Sequence, residues 1–131
     1  MGFLAVIVSA AAGFAFGAIW YMVMAKQWVE ASGVEVDDNG QPKGDSKTYA
    51  LAFVSALLVA GMMRHIFAQA GIDDMSKGVI TGIGMGLFVA APWIMINNAF
   101  GGRPFKLTLI DGGYAMFGCA VIGLVLTVMP S

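Results

Sequence analysis

The chain has 131 residues, of which 59% are of hydrophobic types and only 11% are charged. About a quarter of the residues in a soluble domain are charged, so this composition excludes a protein whose whole surface faces water. Seven basic residues against eight acidic ones argue against a nucleic-acid partner. One cysteine and one histidine exclude a disulfide framework and argue against a structural zinc site. A small integral membrane protein is predicted.

Four apolar windows are long enough for membrane-spanning helices, each of which needs about 20 mostly apolar residues. The first begins at the N-terminus without a charge, and the second is interrupted near its end by Arg64 and His65. The sequence therefore predicts an all-α integral membrane fold: four transmembrane helices in a compact bundle, forming a single domain over residues 1–131. The predicted helices cover about residues 3–25, 48–70, 78–99 and 105–129.

The connections between these helices are rich in charged and turn-forming residues. Residues 26–47 are predicted to form a long polar loop, whose first part lies along the membrane interface. Asp73 and Asp74 are well placed for the N-terminus of the third helix, and the glycines at 101–102 are expected to end it. Pro92 lies inside this helix and predicts a kink, because proline frees a backbone carbonyl one turn earlier.

The basic residues are distributed unevenly between the two sides of the predicted membrane. Lys77 and Arg64 are the only ones on the side of the termini and the second connection. The five on the other side are Lys26, Lys43, Lys47, Arg103 and Lys106. Because basic residues favour the cytoplasmic side, both termini are predicted to lie outside and the long loop inside.

Small residues recur at intervals of four along three of the predicted helices. The series are Ser9, Gly13 and Gly17; Ala52, Ala56 and Ala60; and Gly78, Gly82, Gly86 and Ala90. Residues four apart share one face of a helix, and small side chains there let two backbones approach closely. Two interpretations stay open: packing inside one bundle, or contact of one stripe, best that of the third helix, with another subunit.

Polar and aromatic residues collect at the predicted inner ends of the helices. The candidate binding residues are Trp20, Asn97, Asn98, Arg103, Asp111 and Tyr114. A carboxylate in the apolar zone is costly unless it is paired or hydrated, so Asp111 is the strongest of them. Its expected partners are Arg103, Lys106 and the two asparagines. Asp111 is interpreted as a structural clamp on the connection before the fourth helix, with a ligand or ion site and a proton-transfer group as alternatives.

Arg64 and His65 form a second polar pair, at the predicted outer end. As neighbours in a helix they point about 100° apart. Arg64 is expected to extend toward the outer interface, in the direction of Asp73 or Asp74, with a lipid-headgroup or substrate contact as the alternative. His65 has no second ligand at metal-binding spacing on its helix, so no metal is expected there.

Two sequence segments carry distinctive motifs. Gly17-Ala18-Ile19-Trp20-Tyr21 is followed by Lys26-Gln27-Trp28, and residues 97–107, NNAFGGRPFKL, lead into Ile110-Asp111-Gly112-Gly113-Tyr114. With these motifs the chain resembles, over most of its length, a bacterial membrane family known only as a domain of unknown function, number seventeen-sixty-one in that series. The resemblance implies four transmembrane helices in the bacterial cytoplasmic (inner) membrane. It implies no activity.

The sequence contains no P-loop, nucleophile elbow or dinucleotide fingerprint, and we expect neither catalytic residues nor a cofactor. We expect a non-enzymatic protein that packs against other transmembrane helices, as a homo-oligomer or as an accessory subunit of a larger complex. Its other partners are membrane lipids, and no nucleic acid. The alternative is a small carrier or channel with a polar site at the inner helix ends. A third hypothesis is an enzyme that acts on lipid headgroups through Arg64 or His65.

Overall fold

The computed structural model describes residues 2–38 and 46–129, and these ranges consist of helices joined by short connections. The elements are α1 (Gly2–Val23), α2 (Ala25–Ser32), α3 (Ser46–Ala70), α4 (Met75–Met85), a π-helical turn (Gly86–Ala90), α5 (Ala91–Phe100) and α6 (Phe105–Val128). Four helical stretches are long and apolar enough to cross a membrane: α1, α3, the continuous stretch from α4 through α5, and α6. The predicted all-α fold with four membrane-length helices is confirmed.

α6 is the central helix of the bundle. α1 packs against one of its faces and the stretch from α4 through α5 against another, while α3 packs mainly on α1. The small core lies where α1, α3 and α6 meet, and its buried residues are Ala10, Ala60, Met63, Phe67, Cys119 and Ile122. Most other large apolar side chains face outward, which suits a lipid environment because lipid tails are as apolar as a protein core.

Glycines form a close contact between α4 and α6. Gly78, Gly82 and, in the π-helical turn, Gly86 are all buried. A Cβ atom added at Gly82 or Gly86 would overlap the backbone carbonyl of Cys119 or Ala115 in α6. The small-residue stripe of the third span therefore faces α6 of the same chain. It is not free to meet another subunit, as the alternative interpretation of this stripe required.

The third span contains an irregular turn just before its proline. The Ala91 N–H donates to the Gly86 carbonyl, five residues back, so the helix is wider here than an α-helix. Pro92 follows directly and has no N–H to donate, so the chain cannot keep the regular pattern of α-helical hydrogen bonds through this region. The irregularity one turn before Pro92 is a π-helical turn, and the kink predicted from this proline stays a prediction.

The first part of the predicted polar loop is a helix. α2 follows α1 almost directly and ends at Ser32. Gly33 follows with a φ of 70°, in the left-handed region that favours glycine. Lys26 and Glu30 are exposed, whereas Trp28 and Val29 are partly covered. Eight residues are too few for a helical period to stand out in a charged sequence. Residues 39–45 of this loop, with Lys43 of the charge count, lie outside the described residues.

Two local helix signals act as predicted. Asp74 precedes α4, and its carboxylate accepts a hydrogen bond of 2.8 Å from the Lys77 backbone N–H, which caps the helix. α5 ends at Phe100, and Gly102 follows with a φ of 71°. These turns bring the end of α5 and the start of α6 to the same end of the bundle as α2, which we call the α2 end.

Candidate functional site

Aromatic side chains from α1, α2 and α6 meet at the α2 end of the bundle. Tyr21 lies at their centre, in edge-on contact with Trp28 and Tyr114 at 5.4 Å between ring centroids in each case. α1 and α6 run antiparallel, so the last turns of α1 face the first turns of α6. We call this group the aromatic cluster, and its members are Phe16, Trp20, Tyr21, Trp28, Tyr114 and Phe117.

Asp111 is bound to this cluster through Tyr21. The Tyr21 hydroxyl donates to Asp111 Oδ1 over 2.6 Å, in a partly buried position. Tyr21 is absent from the partners that the sequence analysis expects for Asp111. It lies 90 residues away along the chain, and no local pattern joins residues that far apart. The sequence indicates this pair in one way: Tyr21 and Asp111 are both predicted at the inner ends of their membrane-spanning helices.

Of the expected partners of Asp111, Arg103 acts on it through its charge, whereas the other three form no hydrogen bond or ion pair with it. The Asn98 side-chain amide donates to the Thr108 hydroxyl over 3.1 Å. Lys106 Nζ lies 4.0 Å from a carboxylate oxygen of Glu30. Asn97 is exposed on α5. Arg103 acts on Asp111 through its charge alone, because its guanidinium makes its hydrogen bond to α2.

Two further cluster members donate hydrogen bonds to backbone carbonyls of the neighbouring helix. Trp20 Nε1–H donates to the Ile110 carbonyl over 3.0 Å, and the Tyr114 hydroxyl donates to the Gly13 carbonyl over 3.3 Å. Gly17 makes room for this tyrosine, since a Cβ there would lie 2.7 Å from the Tyr114 ring. The glycines of α1 therefore admit the large rings of α6 to the α1 backbone.

α2 is held over the start of α6 by two basic side chains. Arg103 Nη1 donates to the Ser32 carbonyl at the end of α2 over 3.2 Å, where a cation also favours the helix dipole. Lys106 approaches Glu30, two residues earlier. Both contacts are exposed to the surroundings of the protein, and exposed charge pairs contribute little stability. α2 is therefore attached more loosely than α1.

Of the predicted binding residues, the structure brings Trp20, Asp111 and Tyr114 together, with Arg103 at the edge of the group. Asn97 and Asn98 lie apart from it. Tyr21 and Trp28 are not among the predicted binding residues, although Tyr21 lies at the centre of the aromatic cluster and Trp28 contacts it. Over the described part of the chain, no three His, Cys, Asp or Glu side chains stand close enough to hold a metal ion.

Arg64 and His65 lie at the opposite end of the bundle, beside the start of α1. The Arg64 guanidinium lies directly over Gly2, where an added Cβ would overlap it. The Gln69 amide donates to the His65 ring over 3.4 Å, depending on the ring's tautomer. The expected contact of Arg64 with Asp73 or Asp74 is not formed, because Asp74 caps α4 and lies 3.9 Å from Lys77 Nζ.

A protein-family model described as "Protein of unknown function (DUF1761)" matches residues 4–127. This match covers nearly the whole chain and confirms the family that the motifs around Trp20 and Asp111 predict. No curated protein and no solved structure matches the chain.

Proposed function

We propose that this chain, which belongs to the DUF1761 family, is a small non-enzymatic integral membrane protein that acts by packing against other transmembrane helices. It does so as a homo-oligomer or as an accessory subunit of a larger complex in the bacterial cytoplasmic membrane. The observation that carries this proposal is that Trp20 and Tyr114 of the aromatic cluster donate to backbone carbonyls of the same chain and Tyr21 donates to Asp111.

These bonds give the cluster a structural role. The hydroxyl of Tyr21 is used by Asp111, and the polar atoms of Trp20 and Tyr114 are used by carbonyls of the facing helix. A catalytic group needs a reactive atom that a substrate can reach in a defined geometry. In this cluster the polar atoms instead join α1 to α6, which supports a role through the outer surface of the bundle.

α1 has small residues on two of its faces. The buried face holds Ser9, Gly13 and Gly17. A second set is exposed on the surface of the bundle: Ala11, Ala15 and Ala18. Small side chains on a helix surface let another transmembrane helix approach closely, and its packing then replaces that of lipid. We infer that this exposed alanine face of α1 contacts a second chain or a partner helix.

The proposed orientation rests on the basic residues at the two ends of the bundle. Lys26, Lys47, Arg103 and Lys106 belong to the α2 end, and Arg64 and Lys77 to the opposite one. The α2 end then faces the cytoplasm, and both termini lie outside. Single cysteines introduced at Ser32 and Ser76 test this: a membrane-impermeant thiol reagent added outside should label position 76 and not position 32.

The association itself is tested with Ala15→Leu, which adds bulk to the exposed face of α1. Ala50→Leu is the matched control, since Ala50 is exposed at the start of α3. We expect the unaltered protein in lipid nanodiscs to contain more than one chain or a co-purifying protein. Ala15→Leu should reduce this association, and Ala50→Leu should leave it unchanged. A chain that is strictly monomeric in mild detergent and in lipid, with nothing bound, contradicts the proposal.

A second candidate function, a small carrier or channel, is favoured by the position of Asp111. Its carboxylate is only partly buried, and the Tyr21 hydroxyl donates to one of its oxygens. The positive charge of Arg103 also acts on this carboxylate. Such a group suits a transient ion or polar solute at the α2 end. The test is the flux of ions or polar solutes into liposomes that contain the protein. Asp111→Asn should change this flux. A flux that is absent, or that the substitution leaves unchanged, contradicts a carrier or channel.

A further inference from the structure

Arg64 is a cation without an acidic partner among the described residues. The ion pairs found there are Lys77–Asp74 and Lys106–Glu30, and the first turn of α1 contains no acidic residue. Arg64 lies about 9 Å before the end of α3, at the edge of the apolar part of that helix. A charge at this depth is costly unless an opposite charge or water reaches it. This position is therefore suited to an anionic group that the described residues do not supply.

An open groove of about 570 Å³ lies beside this guanidinium, between the start of α1 and the end of α3. Its volume falls in the range of about 300–1,000 Å³ that small-molecule sites have. We call it the Arg64 groove, and it is lined by Gly2, Phe3, Val6, Gly61, Arg64, His65 and Ala68. Gly61 borders open space, because a Cβ added there would meet nothing within 4 Å.

We propose that the Arg64 groove binds one phospholipid, whose phosphate contacts Arg64 and whose acyl chain lies along Val6 and Gly61. A guanidinium presents paired N–H donors that match phosphate oxygens, and such charge-assisted hydrogen bonds are stronger than neutral ones. Arg64 lies near the end of its helix, where the headgroups of a bilayer are. The apolar lining continues deeper, toward the hydrocarbon.

The apolar lining of the Arg64 groove favours a lipid over the other anions that a guanidinium could bind. A free phosphate ion would use the arginine and the exposed histidine and would leave the apolar lining of the groove uncovered. A phospholipid places its phosphate at the same arginine and fills the apolar part as well. The groove thus complements a molecule that is anionic at one end and apolar at the other.

The test is a titration of the purified protein in mild detergent with phosphatidylglycerol, followed by native mass spectrometry. Arg64→Gln should weaken the tightest binding step about tenfold, the effect expected for the loss of one hydrogen bond to a charged group. Arg64→Lys, which keeps the charge, should lose less. The matched control is Lys47→Gln, at the other end of α3 and exposed, which should leave this step unchanged.

Gly61→Leu provides a second test that keeps the arginine in place. The added side chain enters open space, so the fold should be retained while the acyl-chain path is blocked and lipid binding falls. Equal losses in Arg64→Gln and Lys47→Gln, or binding that withstands both Arg64→Gln and Gly61→Leu, would overturn the proposal. So would inorganic phosphate displacing the lipid at millimolar concentration, since that identifies a site for the anion alone.

The lipid site requires a membrane location and does not depend on the association proposed above. The same mass spectra report the number of chains and the number of bound lipids separately. Loss of lipid with unchanged chain number in Arg64→Gln supports the groove on its own. A monomeric protein that retains the Arg64-dependent lipid contradicts the proposed function and leaves the groove intact.

Discussion

Asp111 and Arg64 are both charged residues within the apolar helices, and the chain treats them differently. At Asp111 it supplies a tyrosine hydroxyl at 2.6 Å and aromatic side chains around it. At Arg64 it supplies the bare backbone of Gly2 and an open groove. Asp111 thus has a hydrogen-bond partner within the chain, whereas Arg64 has no acidic partner among the described residues. Charge and hydropathy alone do not distinguish Asp111 from Arg64. The difference lies in the side chains that the neighbouring helices place around each residue.

The same contrast holds for glycines. At Gly82 and Gly86 the backbone of α6 occupies the space that a side chain would need. Gly61 instead borders the open Arg64 groove. Substitutions beside α6 should therefore lower stability, and substitutions at the groove should change binding with little effect on stability.

The largest effect is expected for Gly82→Ala. The added methyl would overlap the Cys119 carbonyl, and backbone cannot move aside as a flexible side chain can. We expect a loss of about 1–3 kcal/mol in the free energy of unfolding, typical of overpacking. The measurement is thermal or denaturant unfolding in detergent, followed by circular dichroism.

Gly84→Ala is the control for this substitution, because it lies in the same helix and a Cβ there meets nothing within 4 Å. Alanine has the higher helix propensity, so this variant should be as stable as the unaltered chain or slightly more stable. Equal destabilisation by both substitutions would show that α4 does not pack against α6 as described.

A smaller effect is expected for Tyr21→Phe, which removes the hydroxyl that binds Asp111. Hydrogen bonds to charged groups contribute about 1.5–3 kcal/mol. Because this one is partly exposed, we expect the free energy of unfolding to fall by about 1 kcal/mol. Tyr49→Phe is the control, since Tyr49 is 57% exposed. If Arg64→Gln lowered stability as much as Tyr21→Phe, the contrast between the two charges would fail.

The smallest effect is expected for Arg103→Gln, which removes the hydrogen bond to the Ser32 carbonyl. The pair is exposed, so the change in global stability should stay below about 1 kcal/mol. The local effect should be larger, because this contact helps to hold α2. Amide hydrogen exchange in residues 25–32 should accelerate, whereas Lys26→Gln, on α2 itself, should not accelerate it. Unchanged exchange in Arg103→Gln would mean that α2 is held by Trp28, Val29 and the Lys106–Glu30 pair without help from Arg103.

The features that the sequence predicts correctly are local ones. Apolar windows of helix length identify the four spans because a bilayer requires a continuous run of apolar residues. Asp74 caps α4 and Gly102 follows α5 because capping and left-handed turns depend on neighbouring residues. α2 was missed because it is short, and the π-helical turn because only the proline that follows it is visible in the sequence.

The features that the sequence does not reveal depend on which helices are neighbours. The Tyr21–Asp111 hydrogen bond joins residues 90 positions apart, and the burial of Gly82 requires that α4 and α6 pack together. The spacing of small residues shows that a close contact is possible and leaves the other helix unidentified. The same limit applies to the exposed alanines of α1, whose proposed partner lies outside the chain.

The central claim is that the inner surfaces of this protein are completed by its own helices and that its outer surface meets another chain. The most direct test is to extract the unaltered protein from its own membrane with the surrounding lipid and to weigh the particle by native mass spectrometry. The account predicts two or more protein chains in each particle, either copies of this one or this one with a partner. Particles that hold a single chain and only lipid would contradict it.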